Sequence, residues 1–174
     1  MKIVRIFADQ LFAFQYKNEA DNELRRLLEL WNETAHLYQF VTQHKADAPH
    51  NVPIPTLINQ LIDNANDIDD TLNEISTDPE RSLEEFFKPL DNQDYHFVEL
   101  SKQKARKNYL RLFAIRIDKN CFVITGGAIK FHHLNKDRPH TQKEMKKIEK
   151  CRDYLKDNRV FDADSFFEFL KEQQ

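Results

Sequence analysis

Between Ser101 and Arg116 the chain reads SKQKARKNYLRLFAIR, with six basic residues and no acidic one. Lys102, Lys104, Arg106 and Lys107 read as a basic loop leading into an apolar strand. Within that strand Arg111 shares a face with Phe113, Ile115 and Ile117, and Arg116 shares the other with Leu110, Leu112 and Ala114. An arginine in so apolar a strand is costly unless it meets an anion. One reading pairs Arg111 with a carboxylate from the N-terminal half. The other aims it at phosphate, whose oxygens fit the guanidinium fork.

Further on, GGAIKFHH (126–133) contains both glycines of the chain. A phosphate-cradling loop is excluded, because no Lys-Ser or Lys-Thr follows and the dinucleotide-binding spacing is absent. The pattern is a strand, a kink or bulge, and a strand continuation, with glycine supplying a positive φ. Beyond the kink, Lys130 and His132 fall on one face, and Ile129, Phe131 and His133 on the other. Lys136, Arg138 and His140 follow in the next loop. The kink is expected to turn Lys130 and His132 toward Arg111. Histidines move protons near neutral pH, and cations hold developing negative charge. Together these are the parts of phosphodiester cleavage by general acid–base chemistry. The competing reading is a bulge that only relieves sheet strain. The surrounding cations would repel a divalent ion, so neither a metal nor another cofactor is expected.

Charge is divided along the chain. Met1 to Leu100 carries 8 Lys+Arg against 19 Asp+Glu, a balance of −11, and Ser101 to Arg159 carries 17 against 6, a balance of +11. The basic part is expected to face a polyanion. The bland alternative is that the acidic and basic parts pack against each other. MKIVRIFADQ reaches Asp9 before any signal-like stretch develops, and the apolar run Cys121–Ile129 is far too short to span a bilayer. No membrane partner is therefore expected. The two cysteines, Cys121 and Cys151, match no metal or disulfide spacing and read as reduced thiols of a cytoplasmic protein.

The elements that must hold these residues follow from periodicity. MKIVRIFA and LFAFQY predict a hairpin. Residues 18–45 predict one helix through Leu24, Leu27, Leu28, Trp31, Ala35, Tyr38 and Val41. After the proline-rich APHNVPIP, a second helix carries Leu57, Leu61, Ala65, Ile68, Leu72 and Ile75 as one stripe. Ser82 and Glu85 read as a capping box opening a short helix through Phe87. YHFVEL, YLRLFAIRI, CFVIT and AIKFHH are closely spaced strands, predicted to form an antiparallel meander. Thr141 and Glu144 read as a capping box for a helix through Leu155, and a last helix docks through Phe166, Phe167 and Leu170. The class is α+β, one domain over 1–174, with an acidic hairpin and helices in 1–90, basic strands and a helix in 95–157 and a C-terminal helix in 160–174.

Arg111, Asp118 to Asn120, ITGGAIK and HTQKE, in that order behind the basic stretch with Lys102 and Lys104, resemble the C-terminal half of RelE/HigB-type toxins of bacterial toxin–antitoxin systems. The resemblance covers residues 81 to 157. It implies a curved antiparallel sheet with helices packed on one face, an mRNA endonuclease acting on the ribosome, and an antitoxin partner. It also implies phosphate contacts for Lys102, Lys104 and Arg111, and charge stabilisation by Lys130. A tyrosine or carboxylate for proton transfer, present in some members, has no clear counterpart, so His132 or His140 would take that role. The candidate catalytic set is thus Arg111, Lys130, His132 and His140. Lys102, Lys104, Arg106, Lys107, Arg116, Lys136 and Arg138 are the candidate nucleic-acid contacts. The ParE branch of the same fold poisons DNA gyrase without cutting RNA, so a non-catalytic inhibitor, or a degenerate RNA-binding member, is the alternative.

Overall fold

A computed structural model describes residues 1–90, 99–131 and 138–174. In chain order the elements are β1 (Lys2–Phe7), β2 (Leu11–Gln15), α1 (Glu23–Leu30), α2 (Thr34–Gln43), α3 (Ile54–Thr77), β3 (Lys88–Pro89), β4 (Lys102–Lys107), β5 (Leu110–Asp118), β6 (Cys121–Ile129), α4 (Pro139–Asp157) and α5 (Ala163–Glu172). They form an α+β structure around an open six-stranded sheet of order β1-β2-β6-β5-β4-β3. The sheet is mixed, which corrects the antiparallel expectation. β2 runs parallel to β6, with Leu11 to Ala13 opposite Phe122 to Ile124. The chain leaves β2 through three helices, and two hairpin reversals then bring β6 back beside it. A parallel pair needs such a crossover, and close spacing of the later strands could not reveal it.

Helices cover both faces. On one, Leu24, Leu27 and Trp31 of the α1 region and Leu57, Leu61 and Leu72 of α3 share a core with Leu112, Ala114, Phe122 and Ile124 of the sheet. On the other, Ile148, Cys151 and Leu155 of α4 and Phe166 of α5 pack on Phe113, Ile115, Ile117 and Val123. β6 lies between the layers with every residue buried, so it reads as a continuous apolar run without alternation.

Several elements differ from their sequence reading. The helix expected over 18–45 divides, because Trp31 caps α1 and the Asn32 side chain donates to the Leu28 carbonyl at 2.8 Å. The basic stretch from Lys102 is strand β4 and not a loop, paired along its length with β5. Ser82 opens a single 3-10 turn at Leu83–Glu85. α4 begins at Pro139, so Thr141 lies inside it and donates back to the Arg138 carbonyl at 3.0 Å in place of capping. Most of YHFVEL lies outside the described residues.

The two glycines do not use positive φ, which corrects the expected kink. The irregularity sits one residue earlier. Phe113 pairs with Gly126 and Ala114 pairs with Ile124, leaving Thr125 as an inserted residue, a β-bulge. The glycines answer a packing demand. A Cβ on Gly126 would meet the Glu144 carboxylate, and one on Gly127 would lie 2.7 Å from the Arg111 carbonyl oxygen and 2.9 Å from Leu27 and Trp31. Each helical layer thus approaches β6 closely where a side chain is missing. Gly127→Ala is expected to lower the unfolding free energy by about 1–3 kcal/mol through overpacking. Gly126→Ala should cost less, because a carboxyl can swing aside where a backbone carbonyl cannot. Urea titration of both variants checks this, and negligible losses in both would contradict it.

Candidate nucleic-acid interface

The bulge decides which way the end of β6 points. Up to Ile124 the strand alternates regularly, with Phe122 and Ile124 in the α1–α3 core and Val123 in the α4–α5 core. The inserted Thr125 advances that alternation by one residue. Ala128 then falls in the α4–α5 layer and Ile129 in the α1–α3 layer, which puts Lys130 on the α4 side. Arg111 is on the same side, in alternation with Phe113 and opposite Ala128. Arg106 lies directly across from Arg111, and Lys104 opposite Phe113. Four cations of three adjacent strands therefore share one face at one end of the sheet.

Their electrostatics show mutual crowding. Burial, with Arg106 adding to it, pushes the Arg111 guanidinium down to about 10. Burial also lowers the Lys130 ammonium, reinforced by Arg111, Lys104 and Arg106. Among the described residues Arg111 donates only to backbone carbonyls, those of Asn108 at 2.5 Å and Leu110 at 3.0 Å. None of the four has a carboxylate partner among the described residues. A base with a depressed folded pKa weakens the fold below that pKa, and the penalty is relieved as pH rises through it. An anion bound among the four would relieve the same penalty at neutral pH.

The other candidates are placed differently. Lys102 is ion-paired with Glu149 of α4 at 2.6 Å and Arg116 with Glu84 at 2.6 Å. Arg138 clasps Asp47 through Nε at 2.6 Å and Nη2 at 2.5 Å, and Lys107 lies 3.5 Å from Asp67. His140 Nε2 is 2.9 Å from the Ile129 carbonyl, and its ring packs against Phe40 and His44 with centroids 5.3 and 4.7 Å apart. Among the described residues no contact joins its ring to Arg111. His132 and Lys136 lie outside the described residues. Among the described residues no three His, Cys, Asp or Glu side chains gather as metal ligands, and no helix is long and apolar enough to cross a membrane.

Sequence reasoning missed what holds the bulge. Tyr16, just beyond β2, donates its hydroxyl to the Thr125 carbonyl and lies 3.1 Å from Cys151 Sγ. Burial and the neighbouring thiol push its phenol far above the ordinary range, so it stays a neutral donor. Beside it Glu23, 1% exposed, accepts from Arg26 at 2.6 Å and from Lys147 at 2.8 Å. Burial works against the Glu23 carboxylate, but Arg26 and Lys147 outweigh it and hold its pKa below the usual value. Burial raises that of Glu144, 3.6 Å from Lys147. No local signal links Tyr16 to a residue 109 positions away.

Comparison with protein families, curated proteins and solved structures finds no match to this chain.

Directly opposed like charges destabilise a strand pair. Arg106→Gln is therefore expected to raise stability by about 0.2–1 kcal/mol while weakening binding of single-stranded RNA. Thermal unfolding and fluorescence anisotropy measure the two effects. Loss of stability with unchanged RNA affinity would contradict the assignment.

Proposed function

We propose that this protein is the toxin of a type II toxin–antitoxin pair, acting as a metal-independent endoribonuclease on mRNA at the ribosome, with a cognate antitoxin as its partner. The observation that carries the proposal is the convergence of Lys104, Arg106, Arg111 and Lys130 on one sheet face without a carboxylate among the described residues. Such a cluster suits a phosphodiester better than a structural ion pair.

In this reading Arg111 and Arg106 hold the non-bridging oxygens of the scissile phosphate, and Lys104 meets a neighbouring phosphate. The ribose 2′-oxygen attacks the adjacent phosphorus and the bond to the 5′-oxygen breaks, leaving a 2′,3′-cyclic phosphate and a 5′-hydroxyl. The 2′-hydroxyl proton passes to solvent. Lys130, whose proton is loosened by burial and three neighbouring cations, supplies the proton taken up by the 5′-oxygen. His140, engaged with the Ile129 carbonyl, acts through the strand end and not on the substrate.

Arg111→Ala and Lys130→Ala are expected to remain folded and to lose about 100-fold or more of cleavage, while chelator leaves the wild-type rate unchanged. Primer extension on mRNA from expressing cells, and cleavage assays with purified ribosomes, provide the measurement. Induction of DNA damage without mRNA cleavage would instead assign the non-catalytic, gyrase-directed activity. Growth arrest by both variants at wild-type potency would place the site elsewhere.

A further inference from the structure

A second cationic feature lies on the other flank of α4. A groove of about 610 Å³ is lined by Lys143, Lys146, Lys147 and Lys150, with Tyr16 and Cys151 also in its wall. The lysines follow the i, i+3, i+4, i+7 spacing of one helical stripe, in which like charges repel by about 0.2–0.5 kcal/mol per pair. Lys147 is held by Glu23 and Glu144, its ammonium 4.6 Å from the Tyr16 ring centroid. Lys143, Lys146 and Lys150 are exposed and make no ion pair among the described residues. Of the α4 carboxylates within this stretch, Glu144 is engaged with Lys147, and Glu149 is turned to the opposite flank, where it pairs with Lys102 and Arg152. The charged side chains lining the groove are all lysines, and only Lys147 among them is offset by carboxylates.

We propose that this groove is a second contact for the same single-stranded RNA, holding phosphates outside the one that reacts; the inference rests on the reading of the sheet face given above. The shared sign of the groove and the sheet face, and their adjacency, favour RNA over an acidic protein segment. The groove begins at Pro139, and His140 in that first turn is 2.9 Å from the Ile129 carbonyl, the residue before Lys130. The groove and the strand end that carries Lys130 thus meet at the first turn of α4. From Lys143 to Lys150 the helix rises about 10 Å, the length of about three phosphates at a per-strand rise of about 3.4 Å.

The test compares wild type, Arg111→Ala and the triple variant Lys143→Ala/Lys146→Ala/Lys150→Ala. Binding is measured with uncleavable 2′-O-methyl single strands of about 4 and about 12 nucleotides across a salt series. The triple variant is expected to lose about tenfold in affinity for the longer strand, with a salt slope shallower by about 2, near 0.7 per phosphate contact. Its binding of the shorter strand should be unchanged, whereas Arg111→Ala weakens both. An unchanged slope in the triple variant overturns the groove assignment and leaves the sheet-face reading standing. Salt-independent binding by wild type overturns both. If the triple variant keeps its RNA affinity but no longer binds an oligoglutamate that wild type captures, the groove serves a protein partner and the proposal fails.

Discussion

The arrangement depends on one half-buried hydrogen bond, from the Tyr16 hydroxyl to the Thr125 carbonyl. A bulge leaves backbone groups outside the ladder, and an unpaired buried carbonyl costs about 1–3 kcal/mol. Tyr16 supplies the missing donor from the strand end where β2 departs, so the parallel β2–β6 pair and the bulge support each other. Without the inserted residue, Lys130 would lie under the α1–α3 layer, on the far face from Arg111. With it, the last residues of β6 are re-aimed, a use of bulges that recurs beside active sites. The glycines that follow let α4 and α1 close against the re-aimed strand from opposite sides.

The charge division of the chain has two structural outcomes. Part of it is satisfied internally. Arg116 with Glu84, Arg138 with Asp47, Lys107 with Asp67 and Lys147 with Glu23 all join the basic part to the acidic half. These pairs are what the bland alternative describes, acidic and basic parts packed against each other. Another part gathers on the sheet face, with no carboxylate partner among the described residues. Lys104, Arg106, Arg111 and Lys130 meet one another, and burial makes the charge of Arg111 and Lys130 more costly. Retaining such a cluster lowers the stability of the unliganded fold, a compromise typical of binding sites.

Helix stripes, the hairpin and the β5–β6 pair were legible in the sequence because their periodicity is local. The Leu57 to Ile75 stripe of α3 is buried as read. The parallel pairing, the division of the first helix at Trp31 and the strand character of Lys102–Lys107 were not. Each depends on what the segment packs against. A run such as KQKARK has no apolar face to announce a strand, and it forms one because β5 offers a full ladder beside it. The association of Arg111 with Lys130 was anticipated, but for a different cause: the glycines provide room for two helices, and the turn comes from Thr125. The lysine stripe of α4 was present in the spacing, but the groove it lines and the pairing of Glu149 away from it depend on the fold.

Side-chain NMR during an RNA titration tests the central claim most directly. The Nε–H signal of each arginine and the Nζ signal of each lysine report phosphate contact at that residue. With an uncleavable single strand, the account predicts that Arg111, Arg106, Lys104 and Lys130 shift together at the lowest RNA ratios. Lys102 and Arg116, held by Glu149 and Glu84, should stay in place. Early shifts at Arg116 or Lys102 with Arg111 and Lys130 unmoved would contradict it.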